Sequence, residues 1–159
     1  MKDINVVIIG LYTYFNVPVR ILHPVADRIE GVKAHTLFYK NYDSNLFSLP
    51  TEIEENFLID TIEKLKPSVV AISLLSPYVL IAKRITELVK KHTGAVVVWG
   101  GVGPTITPEE HIKLTDVICL GEGERDFEEL IVAVRDGKDY SNLKNLWVNK
   151  GSEIIKNPQ

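Results

Sequence analysis

Ala95-Val96-Val97-Val98-Trp99-Gly100-Gly101 is the stretch on which the fold turns. It is a short apolar run without period-two alternation, so a strand built from it must be covered on both faces, as in a parallel sheet. It stops at a glycine pair, where missing Cβ atoms let a backbone or a flat ligand come close. Counting 95–99, five runs of this kind recur, the others at 6–11, 34–39, 69–75 and 117–120. The run at 34–39 follows Lys33 and carries His35 and Thr36, which suits a sheet edge.

Helical patterns separate the runs. Leu58, Ile62 and Leu65 share one face of 52–66, which Pro67 stops. Ile81, Ile85, Leu88 and Val89 do the same over 78–92, before Gly94. Phe127, Leu130, Ile131 and Val134 mark a helix closed by Gly137, and 17–29 has Pro18 near its start and Gly31 past its end. The crossover after 95–99 is short, and Pro108-Glu109-Glu110-His111-Ile112 allows only a brief helix. Strands alternating with helices predict an α/β, flavodoxin-like (Rossmann-like) three-layer domain with a five-stranded parallel sheet of order 2-1-3-4-5. After Gly137, Leu146-Trp147-Val148, a turn at Lys150-Gly151-Ser152 and Glu153-Ile154-Ile155 read as a β-hairpin. The expected division is an α/β domain over 1–140, then a hairpin and the start of a linker to a further domain over 141–159.

Composition narrows the function. The chain has 159 residues, 45% of them hydrophobic, and a net charge of −3, so nothing biases it toward nucleic acid. A lone cysteine, Cys119, forms no internal disulfide and cannot ligate an iron–sulfur cluster or a thiolate-rich zinc site. The first apolar run is too short to cross a membrane, and no cleavage site follows it, so a cytoplasmic protein is expected.

In such sheets ligands bind beyond the carboxyl ends of the strands. The residues there are Leu11-Tyr12-Thr13-Tyr14-Phe15, Ser73-Leu74-Leu75-Ser76, Gly100-Gly101-Val102-Gly103-Pro104-Thr105 and Gly121-Glu122-Gly123-Glu124. The third has no Lys-Ser/Thr and is not a P-loop, and the first lacks a dinucleotide fingerprint. The acidic residues of a phosphorylation receiver are missing after 6–11 and 69–75.

These loops resemble those of the cobalamin (vitamin B12)-binding domain found N-terminal to the barrel of class B radical S-adenosylmethionine enzymes. Ser73-Leu74-Leu75 matches the Ser-x-Leu of cobalamin domains, and Gly100-Gly101 their Gly-Gly. The string from Gly100-Gly101 through Thr105 to Pro108-Glu109 matches Gly-Gly-x-x-x-Thr-x-x-Pro-Glu of the radical-enzyme branch. Gly121-Glu122-Gly123-Glu124 with Phe127, and Asn145-Leu146-Trp147, match further features of that branch.

The resemblance implies a cofactor module with no catalytic residue and no protein metal ligand of its own. Cobalamin's lower face and nucleotide tail would rest on the strand ends, with Gly100 and Gly101 giving room to the tail's benzimidazole. Ser73 would offer its hydroxyl to the tail or bond a nearby backbone group, and Leu75 would pack on the tail's ring. Thr105 would bond the ligand or cap the short helix. Glu122 would meet corrin amides or complement a helix dipole. Leu11, Tyr12, Thr13, Leu74, Ser76, Val102, Gly121 and Gly123 complete the expected contact set. A bulky side chain at Gly101 is expected to block retention.

Methionine-synthase-like members carry Asp-x-His-x-x-Gly after the first strand, whose His ligates cobalt. None of His23, His35, His92 and His111 has Asp two residues before it, and none lies in that loop. The implied state is base-off cobalamin with no histidine ligand, which favours a strongly nucleophilic Co(I). The 4Fe-4S cluster, S-adenosylmethionine and a C-terminal radical SAM barrel would belong to a parent protein, most often for methyl transfer and in a minority for ring formation. Two alternatives stand: a degenerate, ligand-free interaction or regulatory domain, and a flavodoxin-like protein using FMN. Oligomeric state is left open by the sequence.

Overall fold

Seven strands form one sheet in the order β2-β1-β3-β4-β5-β6-β7 in the computed structural model, which describes residues 3–13, 15–40 and 48–159. β1 (Ile4–Leu11), β2 (Val32–Tyr39), β3 (Val69–Ser73), β4 (Val96–Gly100) and β5 (Val117–Cys119) pair in parallel. β6 (Leu146–Asn149) and β7 (Ile154–Lys156) add antiparallel. The five-stranded order is as the sequence predicts. The hairpin is not apart from that sheet but extends it, because Leu146 and Val148 alternate inward and are buried against β5. A two-stranded hairpin is marginal alone.

Helices cover both faces. α1 (Val17–Asp27) and α6 (Glu124–Asp136) lie on one side, over Val6, Ile8, Ala71, Val98 and Val117. α2 (Glu52–Leu65) and α3 (Val79–His92) lie on the other, over Val7, Ile9, Val70, Ile72 and Trp99. Side chains alternate between faces along each strand, so every core strand feeds both layers.

The helix ends follow local chemistry. Asn16 caps α1 by accepting from the Val19 amide at 3.2 Å. Thr51 and Glu54 form a reciprocal capping box on α2. Gly137, at φ 65°, closes α6 in the left-handed conformation.

Of the differences from the sequence reading, two bear on the site. The expected strand 69–75 ends at Ser73, because Ser76–Tyr78 with Pro77 forms a 3-10 turn leading into α3. The crossover after β4 holds two short helices, α4 (Val102–Ile106) and α5 (Pro108–His111), where one was expected. Among the described residues no helix is long and apolar enough to cross a membrane.

Candidate functional site

A row of small residues lies at the carboxyl ends of three neighbouring strands. Gly10 pairs with Ser73 between β1 and β3, and Ser73 pairs with Gly100 between β3 and β4. Cys119 ends β5 beside them, and a Cβ on Gly100 would lie 3.9 Å from the Cys119 Cβ. By strand alternation these positions face α1 and α6, while their neighbours Ile9, Ile72, Trp99 and Ile118 pack on the other layer. At Ser73, Gly100 and Cys119 that face of the sheet's carboxyl edge is starved of side-chain volume, whereas the space at Gly10 is taken by Phe38, Asn16 and Val19.

The space appears as a cleft of ≈ 240 Å³. Its floor is Ala71, Ile72, Ser73, Val98, Gly100 and Cys119. Val17, Pro18, Ile21 and Leu22 of α1 form one wall; Glu124 and Phe127 of α6, with Gly121, Glu122 and Gly123 before it, form the other. A mostly hydrocarbon cleft with a few polar groups is what a flat organic ligand needs.

The glycine pair divides its work. Gly100 has room where a side chain would be, a Cβ there making only an ordinary contact with the Cys119 Cβ at 3.9 Å. Gly101 has φ +103°, and a Cβ there would sit 2.9 Å from the Leu74 carbonyl oxygen. That contact belongs to a stitch between loops. The Leu74 amide donates to the Gly100 carbonyl at 2.8 Å, and the Gly103 amide donates to the Leu74 carbonyl at 3.2 Å. Thr105 lies inside α4 and does not cap it. Its hydroxyl donates to the Gly101 carbonyl at 2.8 Å and accepts from the Gly121 amide at 3.0 Å, joining the two glycine-rich loops.

Ser73, Gly100, Gly101, Gly121, Glu122 and Gly123, all expected at the site, come together in the cleft. Others do not. Leu11, Tyr12 and Leu74 are buried in the layer beneath α2 and α3. Tyr12 stacks at 4.8 Å on Tyr78 and donates its hydroxyl to the Ser48 carbonyl at 2.9 Å. The Thr13 hydroxyl accepts from the Phe15 amide at 3.0 Å. Leu75, Ser76 and Val102 are exposed on an edge where Phe15 and Ile106 are exposed too, and Tyr14 lies outside the described residues.

The α1 wall, Ala71, Val98, Cys119 and Phe127 were not among the expected contacts. For Ala71 and Val98 the signal existed, since each stands two residues before an expected strand-end contact and so shares its face. Trp99 is fully buried on the opposite face and walls no part of the cleft.

Cys119 is inert. Burial, then the nearby Asp126 and Glu124 charges, push its thiol up to about 12, so it stays protonated at neutral pH. No histidine lines the cleft. His23 pairs with Thr36 at 3.0 Å, His35 with Asn5 at 2.9 Å and His92 with Glu63 at 2.8 Å. His111 donates from Nδ1 to the Thr107 carbonyl at 2.7 Å, and its buried Nε2, unpartnered among the described residues, faces Gly103. Among the described residues no cluster of three or more His, Cys, Asp or Glu is arranged for a metal ion.

The model of one protein family, the B12 binding domain, matches residues 39–131. No curated protein shows significant sequence similarity to the chain. Among solved structures it resembles TsrM from Kitasatospora setae, a radical S-adenosylmethionine methyltransferase with cobalamin and a 4Fe-4S cluster bound. The TM-score is 0.77 at 18% identity, over 99% of this chain and 29% of that one. It also resembles OxsB, a cobalamin-dependent S-adenosylmethionine radical enzyme with aqua-cobalamin bound. There the TM-score is 0.75 at 15% identity, over 98% of this chain and 22% of that one. The chain thus spans less than a third of the length of either. The REC domain of RcsB from Salmonella enterica serovar Typhimurium matches as well, with TM-score 0.57 and 17% identity over 86% of this chain and 91% of that one. A fold shared so widely does not choose a ligand.

Proposed function

The chain belongs to the B12 binding domain family, and from that premise we propose that it holds cobalamin base-off, with the nucleotide tail in the cleft and the corrin across the strand ends. The observation that carries this reading is the paired strand ends Ser73 and Gly100, with Cys119 beside them, on the floor of an apolar cleft. The residues present fit the group. Gly100 leaves a cradle that a larger side chain would fill, and the floor and walls are hydrocarbon.

Each part of the chain then has a task. Ser73 offers its hydroxyl at the mouth. Glu122 and Glu124 present carboxylates that accept from amide N–H groups at a corrin's edge. The Thr105 bridge holds the two glycine-rich loops at one spacing. Phe15, Leu75, Val102 and Ile106 keep an apolar rim, 48% to 72% exposed, at the edge where a second domain would close over the cofactor. When bound, cobalamin supplies a cobalt centre able to carry an alkyl group, and the protein supplies orientation and access. We assign the parent protein to B12-dependent radical SAM chemistry, most often methyl transfer, with the cluster and S-adenosylmethionine held by a barrel in that parent. The fold likeness to TsrM and OxsB supports that assignment.

Mixing the chain with hydroxocobalamin and then gel filtering tests the reading. Corrin absorbance is expected to travel with the protein. A folded protein that carries neither cobalamin nor FMN would favour a ligand-free interaction domain; FMN alone would favour a flavodoxin. The engagement of Tyr12 and Thr13 described above leaves the loop after β1 poorly furnished for an FMN phosphate. For the axial ligand, the EPR spectrum of the Co(II) complex is expected to lack nitrogen superhyperfine splitting. Splitting would mean that a nitrogen, from a histidine or the tail base, occupies the lower face.

A further inference from the structure

We propose that the cleft selects the cobamide by its lower base, admitting a benzimidazole and discriminating against a purine. This rests on the reading that the nucleotide tail enters the cleft, and it adds a specificity which that reading does not contain.

The cleft has a polarity gradient along its depth. β3 and β4 run toward the mouth, so Ala71 and Val98 lie two residues inward of Ser73 and Gly100, about 7 Å at ~3.3 Å per residue. α1 and α6 begin at the mouth and run away from it. Leu22 therefore lies one turn inward of Pro18, and Phe127 inward of Glu124. The inner end is formed by the side chains of Ala71, Val98, Leu22 and Phe127, all hydrocarbon. The floor strands offer no backbone partner there, since Ala71 and Val98 face each other across a paired ladder. Ser73, Glu122 and Glu124, the polar side chains of the lining apart from the protonated Cys119 thiol, belong to the mouth.

A base entering this cleft places its outer ring at the inner end. The benzo ring of a benzimidazole is hydrocarbon there. Adenine carries ring-nitrogen acceptors and an exocyclic amine on its six-membered ring, and at the inner end these have no partner. A buried polar group without a partner loses its hydration uncompensated, which is how sites reject near-isosteric ligands.

The test is spectral titration of the full chain with three corrinoids: hydroxocobalamin, its adenine-based counterpart, and cobinamide, which has no nucleotide tail. Cobalamin is expected to bind most tightly, with the adenine form and cobinamide each at least tenfold weaker. Val98→Thr, which adds one hydroxyl at the inner end at nearly constant volume, is expected to narrow the gap between cobalamin and the adenine form. Equal affinity for the two cobamides, with cobinamide weaker, would overturn the selectivity and leave cobalamin binding intact. Cobinamide binding as tightly as cobalamin would show that the cleft does not hold the base. Binding of none of the three would overturn the cobalamin reading itself, and the selectivity with it. An unchanged ratio in a folded Val98→Thr would overturn the assignment to the inner end.

Discussion

Gly100 and Gly101 are adjacent and identical in kind, yet they are glycines for different reasons. Gly101 answers to the backbone: at its φ of +103° any side chain is strained, and an ideal Cβ 2.9 Å from the Leu74 carbonyl oxygen forces the backbone to shift. Gly100 answers to the cleft, since its missing Cβ would make only one ordinary contact, with the Cys119 Cβ at 3.9 Å. Blocking the cleft at Gly101, as the sequence alone suggests, would therefore confound strain with occlusion. Gly101→Ala is expected to lose about 1–3 kcal/mol of stability in urea unfolding. Gly100→Leu is expected to change stability by no more than about 1 kcal/mol and to weaken cobalamin retention at least tenfold. Full retention by a folded Gly100→Leu protein would sink the proposed cleft. The pair Gly-Gly was legible in the sequence; which member makes the room was not, because that depends on what stands opposite each.

At the scale of elements, α6 both walls the cleft and locks to the rest of the layer at its far end. Arg135 donates to the Glu30 carbonyl at 2.7 Å, tying α6 to the turn before β2, and to Asp136 at 2.8 Å. Hydrogen bonds from Arg135 and then Lys138 hold the Asp136 carboxyl down at about 2, against an ordinary 3.8. A carboxyl depressed in the folded state stabilises it above the unfolded pKa, and that contribution disappears as pH falls from near 4 toward 2. The urea midpoint is expected to fall across that window, and Asp136→Asn to be less stable at pH 7 with a shallower fall. Identical profiles for the two proteins would show that the cluster contributes nothing. The elements themselves were largely legible. The 3.6-residue spacing of Leu58, Ile62 and Leu65 placed α2, and Thr51-x-x-Glu54 carries its capping signature. The short helices after β4 were less so, since a five-residue helix has too few apolar positions to show a period.

At the scale of the whole molecule, every residue lining the cleft lies within 1–140, which we propose as the cobalamin-binding unit. The hairpin that follows nonetheless completes its sheet. β5 has three residues and leans on β6 along its outer edge. Truncation after Tyr140 is expected to lose about 3–6 kcal/mol, from the buried Leu146 and Val148 at roughly 1.5–3 kcal/mol each. It also leaves a bare strand edge open to aggregation. Calorimetry and light scattering on the truncated protein check both; an unchanged melting temperature would make the hairpin an ornament of the fold.

The sequence by itself determined the layered α/β order, because continuous Val/Ile runs can be stable only when covered twice, and it determined which loops sit at the carboxyl edge. It also carried the family signature, since that resides in residue types at fixed spacing. Only the tertiary structure decided which face of that edge is open. Two helices 100 residues apart, α1 and α6, are brought together, with Arg28 paired to Glu128 across them. Against that layer the strand ends present Gly10, Ser73, Gly100 and Cys119, while Tyr12 and Leu74 turn into the other layer and fill it. A cleft is volume left unfilled between distant segments, and no local pattern records it.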